Sequence, residues 1–212
     1  MHIATVIKAA GFAALFAASA AYAAPVNLIS NGDFENNAVS APDGGYLTVS
    51  IATPDAITGW TVGGQSVDLI KNNYGAISGT SIDMLGTPGP GVLSQSFTAA
   101  ANTEYVLSFD LGRNPGAPLP NGAQVAVNFG STTQNFVASV NGSHSTYTMD
   151  YFSGANAGAT LLQFASVGGD NYSGAVLDNV SVTAAVPEPE TYAMLLAGLG
   201  LLGFIARRKK SA

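Results

Sequence analysis

The sequence predicts an all-β protein: one β-sandwich or jelly roll, flanked by an N-terminal signal peptide and a C-terminal single hydrophobic helix. Three observations carry this. Apolar residues recur with period two between the ends, turn residues separate the alternating segments, and helix-like apolar runs occur only at the termini. The 212 residues are 47% hydrophobic and only 9% charged, with no cysteine and a net charge of −6. That length suits one domain with processing segments at its ends.

At the start, His2 and Lys8 precede Ala9–Ala20, which is almost wholly apolar, and Ala21-Tyr22-Ala23 supplies a small-x-small cleavage pattern. Residues 1–23 read as a secretory signal cut after Ala23, because a cut after Ala24 would put Pro25 at the scissile bond. An uncleaved anchor helix is the alternative, but the apolar core is short of the roughly 20 residues a span needs.

Residues 24–186 form the predicted ectodomain. Its clearest strands are Ser66-Val67-Asp68-Leu69-Ile70, Tyr105–Phe109, Gln124–Phe129 and Leu177–Val182, which mostly alternate apolar with polar residues. Further strands are expected at Leu47–Ile51, Ile57–Thr61, Thr80–Met84, Val92–Phe97, Thr133–Val140, Ser145–Phe152 and Thr160–Val167. Turn signals lie at Asp43-Gly44-Gly45, Val62-Gly63-Gly64, Pro88–Gly91, Asn121-Gly122, Asn141-Gly142 and Gly168-Gly169-Asp170. Ser66-Val67-Asp68-Leu69 and Ser81-Ile82-Asp83-Met84 echo each other at an offset that suits a strand, loop, strand unit.

Residues 187–212 form a sorting tail. Val186-Pro187-Glu188-Pro189-Glu190-Thr191 is a rigid acidic stretch, Tyr192–Ala206 has no charge, and Arg207-Arg208-Lys209-Lys210 follows. A helix over 192–206 reads as a transmembrane helix with its basic end cytoplasmic. Its rise of about 22 Å is short of a ~30 Å hydrocarbon slab, a gap that snorkelling and bilayer thinning would have to close. Gly198, Gly200 and Gly203 follow no strand, so a nucleotide loop is rejected.

Charge excludes several functions. Residues 25–186 hold eleven acids against Lys71 and Arg113, a net of −9, which repels phosphate backbones, so no nucleic acid is expected. The lack of cysteine removes disulfides, thiol catalysis and Cys-ligated metals. Two histidines, one of them in the leader, make histidine–metal clusters and Ser-His-Asp chemistry improbable. The second, His144, stands between Ser143 and Ser145 next to a Gly turn.

Two resemblances sharpen this reading. Val186–Lys210 resembles the PEP-CTERM sorting signal of Gram-negative bacteria, with Pro-Glu-Pro, apolar helix and basic finish in order. The resemblance implies an exosortase partner acting near Pro187, Glu188 and Pro189. It also implies transient inner-membrane anchoring, then delivery to the cell surface or extracellular matrix; a permanent single-span anchor is the alternative. Within the ectodomain, Asn27–Glu35, Gly59-Trp60 and Leu177–Val182 frame a chain that resembles galactose-binding-like jelly rolls, including carbohydrate-binding modules. Ser66–Ile70, Ser81–Met84, Leu93–Phe97 and Tyr105–Pro115 make it similar to choice-of-anchor C type bacterial extracellular domains.

Candidate site residues follow. Asp33 and Glu35 flank Phe34, so on a strand both carboxylates would share one face while the ring enters the core. In related jelly rolls the first and last strands are neighbours and a structural Ca²⁺ often sits near their ends. That resemblance makes Glu35 and Asp178 the expected metal ligands, with Asp33 a weaker third; Ca²⁺ takes oxygen ligands of this kind. Tyr46, Tyr74 and Tyr172, in Gly- or Asn-rich loops, are the expected carbohydrate contacts, with Arg113 and Asn114 adding polar ones. Trp60 reads as a core residue first. Asp68 and Asp83 could pair as the two carboxylates glycoside hydrolysis requires, a remote alternative that needs one raised pKa. The leading expectation is a non-catalytic module binding extracellular polysaccharide. The alternative is a structural matrix or biofilm protein without a specific glycan site.

Overall fold

The computed structural model describes residues 25–117, 123–139, 143–168, 172–185 and 189–210. The signal segment, Pro187, Glu188 and the turns expected at Asn121-Gly122, Asn141-Gly142 and Gly169-Asp170 lie outside the described residues. Eleven strands are present among the described residues: β1 Tyr46–Ser50, β2 Thr61–Gly64, β3 Ser66–Lys71, β4 Thr80–Asp83, β5 Gly91–Ala99, β6 Glu104–Arg113, β7 Gln124–Phe129, β8 Thr132–Val137, β9 Ser145–Phe152, β10 Gly158–Val167 and β11 Ala175–Ala184. They form two antiparallel sheets, ordered β1-β3-β4-β11-β6-β9 and β2-β5-β10-β7-β8. The all-β sandwich expected from the alternation is the observed architecture.

The alternating positions fill the space between the sheets. Val67, Leu69, Ile82, Leu107, Phe109, Leu111, Leu177 and Val182 come from one sheet; Leu93, Phe97, Val125, Val127, Phe129, Leu162 and Phe164 come from the other. Each large side chain so buried contributes about 1.5–3 kcal/mol of transfer free energy. Trp60 lies in this core, with its ring 5.5 Å from Phe34 and 6.3 Å from Phe164, and its Nε1 donates to the Asn31 carbonyl at 3.0 Å.

Two local expectations are corrected. Ile57–Thr61 is mostly turn, with the Trp60 amide bonded to the Ile57 carbonyl at 2.9 Å, whereas Val62-Gly63-Gly64, expected as a turn, lies in β2 against Gly91–Leu93. Pairing with β5 overrides glycine's poor strand preference there. Asp33 and Glu35 do not flank Phe34 on a strand. Asn31 and Phe34 both take left-handed φ values (50° and 54°) in a tight turn closed by the Phe34 amide on the Asn31 carbonyl. The Phe34 ring still enters the core, fully buried.

The N-terminal segment clasps the last strand without itself being a strand. The Leu28 amide bonds to the Val182 carbonyl, the Val180 amide to the Gly32 carbonyl (both 2.8 Å), and the Val182 amide to Asn27 Oδ1 at 3.0 Å. Glycine is required at 32, since a Cβ there would lie 1.9 Å from the Val180 carbonyl oxygen.

Strand β3 departs from simple alternation, for Ser66 to Ile70 are all buried. Its second face is covered by loop residues: Tyr74, Thr87, Asn114, Tyr172 and Ser173 stand around Asp68 and Ile70, whose side chains leave the sheet away from the core. The C-terminal helix α1 spans Pro189–Lys210. Among the described residues no helix is long and apolar enough to cross a membrane, so the transmembrane span expected at 192–206 is not supported. Its uncharged run is interrupted by three glycines and bounded by Glu190 and Arg207.

Candidate functional site

The covered outer face of the six-stranded sheet carries a cavity of about 210 Å³, lined by Tyr46, Asp68, Ile70, Tyr74, Asp83, Thr87, Asn114, Tyr172 and Ser173. Its floor is set by register. Thr48 opposes Asp68, and Asp68 opposes Asp83, so the two Ser-x-Asp echoes of the sequence become one cross-strand carboxylate pair. Period two puts Asp68 and Ile70 on the same side of β3, away from the core that Val67 and Leu69 enter.

Its walls are the three tyrosines expected to be contacts. Tyr46 begins β1, half exposed; its ring meets that of Tyr74 edge-on, with centroids 5.6 Å apart. Tyr74, between β3 and β4, and Tyr172, just before β11, both have left-handed φ values (56° and 60°), a costly conformation for a bulky residue. Asn73 Oδ1 supports the first of these by accepting the Tyr74 amide at 2.8 Å, and Asn73 Nδ2 ties the loop to the Gly44 carbonyl.

Asp83 is the most constrained group. Its Oδ1 accepts the Leu85 and Gly174 amides, both at 3.0 Å, and its Oδ2 accepts Asn114 Nδ2 at 2.6 Å. Asn114 is itself buried, and its Oδ1 accepts the Gly116 amide. Burial pushes the Asp83 carboxyl up to about 7 despite those three donors, with the Asp68 charge adding to the rise. Asp68 is also raised, by burial above all, against hydrogen bonds from Thr48 and the Thr87 backbone. Asp68 is only 5% exposed, yet its Oδ1 has no hydrogen-bond partner among the described residues.

Arg113 does not line this cavity; its Nη1 donates to the Ala117 carbonyl and braces the 113–117 turn. Asn114 does line it, through the bond to Asp83. The floor residues Asp68 and Asp83 are visible in the sequence as an echo, and that echo is the signal for their pairing. Ile70 follows from sharing a face of β3 with Asp68, whereas nothing in the sequence marks Thr87 or Ser173, which loop closure brings in. As for hydrolysis, both Asp83 oxygens already accept protein donors.

The expected metal ligands occupy a neighbouring region. Glu35 Oε1 accepts the Thr80 amide at 2.5 Å and its Oε2 the Thr80 hydroxyl at 3.3 Å. Asp178 Oδ2 accepts the Ser78 amide at 3.1 Å and the Ser81 hydroxyl at 2.8 Å, while its Oδ1 accepts the Asn179 amide at 2.7 Å. The two carboxylates thus converge on residues 78–81. Burial raises Asp178 to about 6, and the Glu35 charge adds to it. Asp33 is apart, in a groove with Asn27, Asn31 and Asn179. Among the described residues no group of three or more His, Cys, Asp or Glu is placed to hold a metal ion. The donors are all oxygen, as Ca²⁺ prefers, but they include two carboxylates rather than three. His144 is half exposed, with its Nε2 4.0 Å from Asp110 Oδ2.

Fold and cavity define a two-sheet β-sandwich with a cavity on the loop-covered side of the six-stranded sheet. The chain belongs to the family described as protein of unknown function (DUF642), which matches residues 27–183. Residues 185–210 match the PEP-CTERM protein-sorting motif, which marks an exported protein sorted to the cell surface and implies exosortase processing. Over 86 residues the chain is 37% identical to Halomucin of Haloquadratum walsbyi, a stretch covering 39% of this chain and 1% of that protein. Among solved structures it is similar to a family 16 carbohydrate-binding module (TM-score 0.42, 16% identity, 74% of this chain and 99% of that one). It is also similar to a family 35 carbohydrate-binding module from Clostridium thermocellum (TM-score 0.41, 13% identity, 66% and 98%).

Proposed function

We propose that this protein is an exported surface or matrix module that binds an extracellular polysaccharide, holding one saccharide ring in the cavity walled by Tyr46, Tyr74 and Tyr172. The observation that carries the reading is their convergence. Three aromatic side chains from separate segments, two on left-handed backbone, surround a floor with a buried acceptor oxygen that has no hydrogen-bond partner among the described residues. Aromatic walls with a few placed polar groups are what saccharide recognition requires. The volume is below the roughly 300–1,000 Å³ of drug-sized sites, which favours an end group or single ring over a long segment. A structural Ca²⁺ at Glu35 and Asp178 belongs to the same proposal; it would hold the 78–81 segment beneath the Tyr74 loop.

Affinity electrophoresis of the purified protein through gels containing individual bacterial and plant polysaccharides, with calcium present, tests the reading. Selective retardation by one or two glycans is expected. Tyr46→Ala or Tyr172→Ala should weaken it about tenfold, or ~1.4 kcal/mol. Uniform mobility across the panel would overturn the reading in favour of a structural matrix protein without a specific glycan site.

A further inference from the structure

The cavity carries more information than its aromatic walls, because its floor is anionic and uncompensated. Asp68 and Asp83 face each other across adjacent strands. Asp83 has used both oxygens on three protein donors, so the unfilled acceptor is Asp68 Oδ1, nine-tenths buried and lining the cavity. The ectodomain has only two strong cations to offer. These are Lys71 and Arg113; neither lines the cavity, and Arg113 Nη1 donates to the Ala117 carbonyl. The complement of such a site is a group that donates a hydrogen bond and also carries positive charge.

The tyrosines fit the same group. Aromatic faces attract ammonium, by about 0.5–2 kcal/mol depending on desolvation. A neutral hydroxyl would satisfy Asp68 Oδ1 as an acceptor but leave the Asp68 carboxylate charge without a counter-charge. An N-acetyl group would replace the cation with an amide. A divalent metal would need several oxygens, and only one carboxylate oxygen of the pair is free. Resting on the glycan-binding reading above, we propose that the cavity selects a hexosamine with a free amine, its ammonium seated between Asp68 Oδ1 and the rings of Tyr46 and Tyr74. The partner is then a polysaccharide bearing N-unsubstituted amino sugars.

The test uses the full chain, glucosamine oligosaccharides with free amines, and the matched N-acetylated oligosaccharides, titrated calorimetrically at pH 6. Binding of the free-amine probe should be at least tenfold tighter. Asp68→Asn, which keeps the shape and removes the charge, should erase that preference, with melting confirming that the variant is folded. Asp55→Asn removes the same charge at an exposed position outside the cavity and should leave the preference intact. An equal loss in both variants would overturn the proposal in favour of bulk charge attraction. So would equal affinity for the two probes, or selective retention of a neutral polysaccharide with neither probe bound; in those cases glycan binding at the tyrosines would stand alone. Failure of every glycan to bind would remove both readings.

Discussion

Replacing Asp83 with asparagine should change the pH dependence of stability in a way opposite to the usual carboxylate. The native carboxyl sits at about 7 against 3.8 for an unperturbed aspartate, so between those pH values the folded state holds a proton that the unfolded chain has released. Stability from this group is therefore fully present below about pH 4 and declines as pH rises toward 7. The displacement corresponds to about 4 kcal/mol as a ceiling, at ~1.4 kcal/mol per pH unit. For a domain of this size that is on the order of 10 °C in melting temperature. The introduced asparagine would retain an acceptor for the Leu85 and Gly174 amides, but its own amide would face Asn114 Nδ2 and force that side chain to turn. The variant's absolute stability thus carries a local penalty, and the informative quantity is the slope. Urea unfolding from pH 4 to 8 should show wild type losing stability across the interval and Asp83→Asn losing much less. Asp178, raised to about 6, leaves a residual slope of the same sign. If wild type gained stability from pH 4 to 7, or if the variant reproduced its slope, burial would not be governing Asp83.

Three further outcomes are expected. Chelation should lower the melting temperature of the calcium-loaded protein, and Glu35→Ala should abolish the difference; identical melts with and without chelator would remove Ca²⁺ from the account. Gly32→Ala should destabilise by about 3 kcal/mol or more, because its Cβ would sit 1.9 Å from the Val180 carbonyl oxygen and open the clasp on β11, and chemical denaturation measures the loss. Alanines at Pro187, Glu188 and Pro189 should leave a larger, unprocessed species on an immunoblot of cell fractions, whereas unchanged processing would exclude this motif as the exosortase signal.

The strands are legible because a half-buried sheet forces alternation, and every strand except β2 falls on a segment read from it. The failures are local and have a common cause. At Ile57–Gly64 composition suggests strand then turn, but pairing with β5 makes Val62–Gly64 the strand and leaves Ile57–Trp60 to turn. At Asn31–Phe34 an apparent alternation conceals two left-handed residues; the Asn31-Gly32 pair is a turn signal, but nothing local announces the left-handed Phe34. The three tyrosines stand out in the sequence for their Gly- and Asn-rich surroundings, but their common destination is not a local property.

What the sequence alone determined, then, is export and sorting, the all-β class, the acidic character of the sandwich domain, and the identity of the aromatic residues that wall the cavity. These depend on composition and on short-range order. Tertiary structure decided that Asp68 meets Asp83, that loops bury the outer face of β3, and that Tyr46, Tyr74 and Tyr172 enclose one space while Arg113 turns away. Those relations join residues from opposite ends of the ectodomain through sheet register and loop closure. Strand pairing brings such residues together; spacing along the chain does not encode it.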